Sequence, residues 1–115
     1  MANPVTWFEI IGKDGGKLQK FYGDLFGWKI DANNPMNYGM VDNGGSGING
    51  GVAGGDGPRL TVYVETSDLE GTLKNAEAAG GKTVMPVTDV PGGPTLAMFA
   101  DPEGNIVGIM KPMQM

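Results

Sequence analysis

The sequence predicts an α+β fold built from two βαβββ modules, and three observations predict it. First, the chain says something similar twice: WFEIIGKDGGKLQKFYGDLFGW at residues 7–28 is echoed by TVYVETSDLEGTLKNAEAAGGK at residues 61–82. Trp7 matches Thr61 and Gly27 matches Gly81, both at an offset of 54. Second, each copy reads as an alternating apolar strand, a polar turn and an amphipathic helix closed by glycine. Third, three further strand-like segments follow each helix. Two helices cannot cover both faces of the resulting sheet, so one face packs on the helices and the other is left to form a cavity.

In the first half, Val5–Ile11 alternates as a strand. Asp14 is placed to N-cap a helix that carries Leu18, Phe21, Tyr22, Leu25 and Phe26 at i, i+3, i+4, i+7 and i+8. Gly27 ends that helix. Trp28–Asp31 and Met36–Val41 read as strands, Asn43-Gly44 as a hairpin turn, and Ile48–Ala53 as a fourth, glycine-rich strand. Glycine in such a strand marks close approach of another group. Gly54–Pro58 is the connector.

The second half repeats the order. Leu60–Thr66 is a strand, and Ser67-Asp68-Leu69-Glu70 fits the S-x-x-E capping box. Leu69, Leu73 and Ala76 supply a thinner apolar stripe. Gly80-Gly81 closes the helix. Thr83–Val87, Thr95–Ala100 and Ile106–Lys111 are strands, with turns at Pro91–Pro94 and Asp101-Pro102-Glu103-Gly104.

At 115 residues the chain reads as one domain, with modules at about 4–54 and 58–112, able to bury about two-thirds of its unfolded surface. The net charge of −5 argues against nucleic acid and anionic membranes, which need a basic face. No window approaches a membrane span, and MANPVTWFE lacks the features of a signal peptide, so the expected location is cytoplasmic. Cysteine and histidine are absent, which removes thiolate chemistry and the commonest metal ligand and neutral-pH base.

Several motifs fail on context. Gly45-Ser46-Gly47-Ile48-Asn49-Gly50 fits G-x-G-x-x-G, but Gly51-Val52-Ala53-Gly54-Gly55 cannot open the required helix. Gly12–Lys17 is one residue short of a P-loop and is followed by Leu18. Ser46 and Ser67 have no histidine partner for nucleophilic catalysis. Asp42-Asn43-Gly44 lacks the glutamate of a calcium loop.

Phe21-Tyr22-Gly23-Asp24-Leu25-Phe26-Gly27-Trp28, Ala79-Gly80-Gly81 and Asp101-Pro102-Glu103-Gly104-Asn105 together resemble the vicinal oxygen chelate superfamily. That superfamily includes glyoxalase I, bleomycin-resistance proteins and extradiol dioxygenases. The resemblance implies two βαβββ modules in an open, cup-shaped mixed sheet with the helices on its outer face, often completed by a second chain. It also implies about four metal ligands, typically His or Glu. The positions matching them hold Trp7, the stretch Ile48–Gly54 without His, Asp or Glu, Thr61, and Gly108. Indole, hydroxyl and glycine do not make the oxygen shell a hard divalent ion needs, so the expectation is a protein with no metal and no other cofactor.

Strand alternation sorts the faces. Phe8, Ile10, Val62 and Val64 should pack on the helices. Trp7, Glu9 and Ile11, with Thr61, Tyr63 and Glu65, should line the cup, joined by Ile106, Gly108 and Met110. The candidate ligand-binding set is therefore Trp7, Glu9, Thr61, Tyr63 and Met110. Glu9 is the candidate acid/base or anchor, with a carboxyl pushed up by burial beside an indole unless a cation pairs with it. Its alternative is a rim carboxylate held by a lysine or backbone donors. Trp7 and Tyr63 are stacking platforms or packing residues, and Met36, Met40, Met98 and Met110 a pocket wall or core filler.

The functional expectation is a metal-free homodimer that binds a small hydrophobic or aromatic molecule, with sequestration as one form. The alternatives are a metal-independent isomerase, lyase or cyclase working through Glu9, and a structural module whose cup is filled by its own side chains.

Overall fold

A computed structural model describes residues 2–112. The elements run β1 (Val5–Gly12), α1 (Gly15–Phe26), β2 (Lys29–Asp31), β3 (Gly39–Asp42), β4 (Asn49–Gly54), β5 (Arg59–Glu65), α2 (Leu69–Ala78), β6 (Lys82–Asp89), β7 (Thr95–Ala100) and β8 (Ile106–Met110). The expected βαβββ succession is present twice. The described residues divide into two compact units, Thr6–Thr61 and 62–112 with 2–5, and the boundary falls inside β5.

In the first unit the strand order is β2-β3-β4-β1. β1 runs parallel to β4, and the other pairs are antiparallel. α1 begins as expected: the Asp14 side chain accepts the Lys17 N–H at 3.1 Å. It ends on Gly27, whose φ of 73° needs glycine and whose N–H returns to the Gly23 carbonyl. The helix lies over β4, where Gln19 Nε2 donates to the Val52 carbonyl at 2.8 Å.

The α1 stripe is not a buried one. No α1 residue is fully buried, and Phe21, Leu25 and Phe26 are each more than half exposed. The reason lies underneath: Gly50 and Gly54, the β4 glycines on the helix side, present no side chains to cover, and the helix start sits against the Gly54 backbone. What α1 does pack is aromatic. Tyr22 stacks on Trp28 at 5.8 Å between ring centroids, and Trp28 tilts on Phe8 at 5.4 Å.

β3 is shorter than the Met36–Val41 strand expected. The Asp31 carboxylate accepts the Asn33 N–H, and Asn34 clamps Tyr38 by accepting its N–H at 2.9 Å and donating to its carbonyl at 2.7 Å. Residues 33–38 therefore close a side-chain-bonded loop instead of joining the ladder.

In the second unit the order is β5-β8-β7-β6, with β5 and β8 parallel and the remaining pairs antiparallel. Leu69 and Leu73 of α2 pack with Ala97 and Ile109, flanked by Val64, Val87 and Phe99. Val62 does not join Val64 under a helix and is 42% exposed. Pro86 is accommodated because β6 is the last strand and its pairing with β7 carries register shifts. The N-cap of α2 is Asp68 rather than Ser67: its carboxylate accepts the Gly71 N–H at 2.9 Å. A charged acceptor outcompetes the neighbouring hydroxyl for that helix end. The far end closes as a Schellman motif, with Gly81 N–H on the Ala76 carbonyl and Gly80 N–H on that of Glu77.

The turn before β8 is tied by Asp101, which accepts from Glu103 N–H, Asn105 N–H and Asn105 Nδ2. These donors, the Asn105 side chain foremost, hold the Asp101 carboxyl below its ordinary value of 3.8.

Two measurements check this description. Asp68→Ala should cost about 1 kcal/mol in urea denaturation, whereas Ser67→Ala should change little. The Asp101 carboxyl, followed by NMR against pH, should titrate below an ordinary aspartate, and Asn105→Ala should move it back up. Because the folded value is the lower one, the turn's contribution is present above the ordinary value and lost as pH falls through the folded one.

Candidate functional site

The registers of the first unit align one row of residues across its sheet. Asp31 faces Met40, Met40 faces Gly51, and Gly51 faces Glu9. The adjacent row on the same face runs from Lys29 and Asp42 on β2 and β3 to Asn49 and Trp7 on β4 and β1. The opposite face holds Val52 and Val41, both buried. Strand alternation thus separates an apolar helix-side face from one carrying Trp7, Glu9 and a set of charged groups.

Glu9 is 9% exposed, so its carboxylate needs partners of strong donor character. Arg59 supplies one, with Nη2 to Oε1 at 3.1 Å. Tyr38 supplies the other, its hydroxyl donating to Oε2 at 2.9 Å. The same Tyr38 oxygen accepts the Trp7 indole N–H at 3.1 Å. Arg59 Nη1 donates in turn to Thr61 Oγ1 at 3.0 Å, and Thr61 is buried. The five side chains form one directed chain, from the Trp7 N–H through the Tyr38 hydroxyl to the Glu9 carboxylate, met from the other side by the guanidinium that also holds Thr61.

Gly51 makes room for this arrangement. A Cβ there would overlap the Tyr38 ring, which lies over the glycine beside Glu9. The alternative reading of Glu9, a rim carboxylate held by a lysine or backbone donors, gives way to a buried carboxylate held by arginine and tyrosine. Next to it, Trp7 and Met40, with Ile30 and Val41, line a groove of about 440 Å³ edged by Lys29, Asp31, Asp42 and Asn49.

The structure thus brings Trp7, Glu9 and Thr61 together. Tyr63 and Met110 lie in the second unit, buried at 3% and 5%. The corresponding row there is apolar: Tyr63 faces Gly108, Gly108 faces Met98 and Met98 faces Met85. The Tyr63 ring occupies the space a Cβ on Gly108 would need. Glu65, also of this unit, lies opposite Met110.

Sequence reasoning missed Arg59 and Tyr38. For Arg59 the signal was present: it precedes Thr61 by two residues, so alternation puts both on one face. For Tyr38 no local signal sufficed, since its ring reaches Gly51 only through the β3–β4 register and the Asn34 clamp.

The positions that would carry metal ligands do not suit a divalent cation. Trp7 offers only an N–H, which Tyr38 already accepts. Gly51, within the 48–54 stretch, is roofed by Tyr38, and Gly108 by Tyr63. Thr61 Oγ1 faces a permanent positive charge at 3.0 Å, which repels a cation. Among the described residues no group of three or more His, Cys, Asp or Glu side chains converges to hold a metal.

Residues 5–109 match the model of the Glyoxalase/Bleomycin resistance protein/Dioxygenase superfamily. A 51-residue stretch, 44% of this chain, is 35% identical to the putative glyoxylase CFP32 of Mycobacterium bovis, covering 20% of that protein. A stretch of the same length is 39% identical to the anthracycline biosynthesis protein DnrV of Streptomyces peucetius, covering 18% of it. These matches thus span about a fifth of the relatives' length. Among solved structures, methylmalonyl-CoA epimerase from Mycobacterium tuberculosis superposes with a TM-score of 0.68 at 14% identity, over 96% of this chain and 88% of the epimerase. That likeness is one of fold.

The network makes a quantitative expectation. Arg59→Met takes the guanidinium from a buried carboxylate, and with Arg59 one-third exposed it should cost about 2–3 kcal/mol in chemical denaturation. Tyr38→Phe should cost about 1–2 kcal/mol. Glu9→Gln combined with Arg59→Met should lose less than the sum of the two single changes, because the two side chains touch.

Proposed function

The chain belongs to the Glyoxalase/Bleomycin resistance protein/Dioxygenase superfamily, and from that premise we propose that it binds a small hydrophobic or aromatic molecule against Trp7, without a metal ion. The observation that carries this reading is the setting of Trp7. Its N–H is held by Tyr38, so the indole plane is fixed before any ligand arrives, and its ring opens on the groove beside Met40. An oriented aromatic surface costs little entropy on binding. Similarity to a stretch of an anthracycline biosynthesis protein is in keeping with a flat ligand, and sequestration is the simplest use of such a site. Glu9 serves in this reading as the anchor of the frame, with Thr61 steadying Arg59.

We take the working state to be a homodimer, supported by the exposed Phe21, Leu25 and Phe26, since clustered exposed apolar groups mark interaction surfaces. No helix among the described residues is long and apolar enough to cross a membrane, and the absence of cysteine suits the cytoplasm.

A second reading is favoured by one contact: a buried carboxylate in hydrogen-bond reach of a phenol is a plausible acid/base pair for a metal-independent isomerase, lyase or cyclase. Glu9→Gln separates the two. An enzyme would lose turnover and keep its affinity within a few-fold, whereas an anchor would lose affinity.

The binding reading is tested with 2-naphthalenemethanol as probe, by ¹H–¹⁵N NMR. The Trp7 indole cross-peak should move while that of Trp28 stays, and Trp7→Ala should weaken binding more than ten-fold. Binding that leaves the Trp7 cross-peak unmoved, or that survives Trp7→Ala, would sink it. So would stoichiometric Zn²⁺, Ni²⁺, Mn²⁺ or Fe²⁺ in protein purified without added metal.

A further inference from the structure

We infer that the Trp7 groove selects a planar organic cation, an aromatic ring system carrying a protonated amine. The inference rests on the binding reading above and adds the ligand's charge. Its starting point is how the charges on this face are already matched. Glu9, the buried carboxylate, is paired with Arg59, so it leaves little field for a ligand. What remains around the indole is Asp31 and Asp42 against the single ammonium of Lys29. Lys29 lies directly opposite Asp42 in the β2–β3 register, whereas Asp31 lies opposite Met40.

Both carboxylates are oriented. Asp31 accepts the Asn33 N–H at 2.9 Å through one oxygen, and Asp42 accepts the Gly44 N–H at 2.9 Å in the same way. Each is exposed at the groove edge, and the backbone N–H occupies one of its two oxygens. Between them the groove offers an indole face, the best aromatic partner for a cation, and a polarizable thioether. The chain as a whole carries −5, so its long-range field draws cations in and turns anions away. A flat cation gains ring burial, cation–π attraction and the carboxylates. A neutral analogue gains the first alone, and an anion meets two like charges.

The test compares three probes of one shape: 2-naphthylmethylammonium, 2-naphthalenemethanol and 2-naphthoate, each titrated at low and at 0.5 M salt. The ammonium should bind about five-fold more tightly than the alcohol at low salt, and the naphthoate most weakly. High salt should shrink the spread. The Asp31→Asn/Asp42→Asn double variant should bring the ammonium within about two-fold of the alcohol, and Lys29→Gln should widen the gap. Naphthoate binding as tightly as the ammonium, or a gap unchanged in the double variant, overturns the inference and leaves the binding reading standing. Failure of all three probes to move the Trp7 cross-peak removes the binding reading, and this inference with it.

Discussion

A carboxylate has been placed where water hardly reaches, and much of the first unit is organised around that fact. Burying the charge of Glu9 would be prohibitive without compensation. Arg59 supplies opposite charge and Tyr38 a hydroxyl donor. Each compensation makes its own demand. The Tyr38 ring can reach Glu9 only if Gly51 has no side chain and if Asn34 holds the backbone at Tyr38 from both sides. Arg59 can be shared only because Thr61, two residues on, presents an oxygen to its other nitrogen. Even the orientation of Trp7 derives from the pair, since its N–H has the Tyr38 oxygen as acceptor.

The two units show how one backbone plan carries two chemistries. Their central rows correspond: Asp31, Met40, Gly51 and Glu9 in one, Met85, Met98, Gly108 and Tyr63 in the other. Glycine stands at the same place in both rows, next to a methionine, and in both a tyrosine ring lies over it. The origin of that ring differs. In the second unit it comes from the row itself, so the row is closed and apolar. In the first it comes from a loop before β3, and the place in the row is left to a carboxylate.

Much of the fold was legible in the sequence because its signals are local. Asp14 and Gly27 bound α1 as their chemistry dictates, and the repeat at an offset of 54 identified the double βαβββ plan before any strand was paired. The misreadings were contests between neighbours or effects of distant residues. Asp68 displaced Ser67 because a carboxylate is the stronger cap. The apolar stripe of α1 promised a buried face, yet Phe21 and Leu25 remain exposed because Gly50 and Gly54 flank Val52 on the helix side of the strand beneath and offer no side chains. Of the hydrogen-bonded cluster at the candidate site, Trp7, Glu9 and Thr61 could be placed on one face by alternation alone. Tyr38 could not, because its position depends on two strand registers and a loop clamp that no short window contains.

Gly51 and Tyr38 also constrain how this protein can change over generations. Any side chain introduced at residue 51, including a carboxylate able to bind a metal, meets the tyrosine ring. Any loss of the ring leaves Glu9 short of a donor and the Trp7 N–H without its acceptor. Each substitution disturbs the contacts of the other residue, so a side chain at residue 51 is accommodated only together with a change at Tyr38. The pair is an epistatic lock: descendants of this chain are free to vary the rim of the groove while its centre stays as it is.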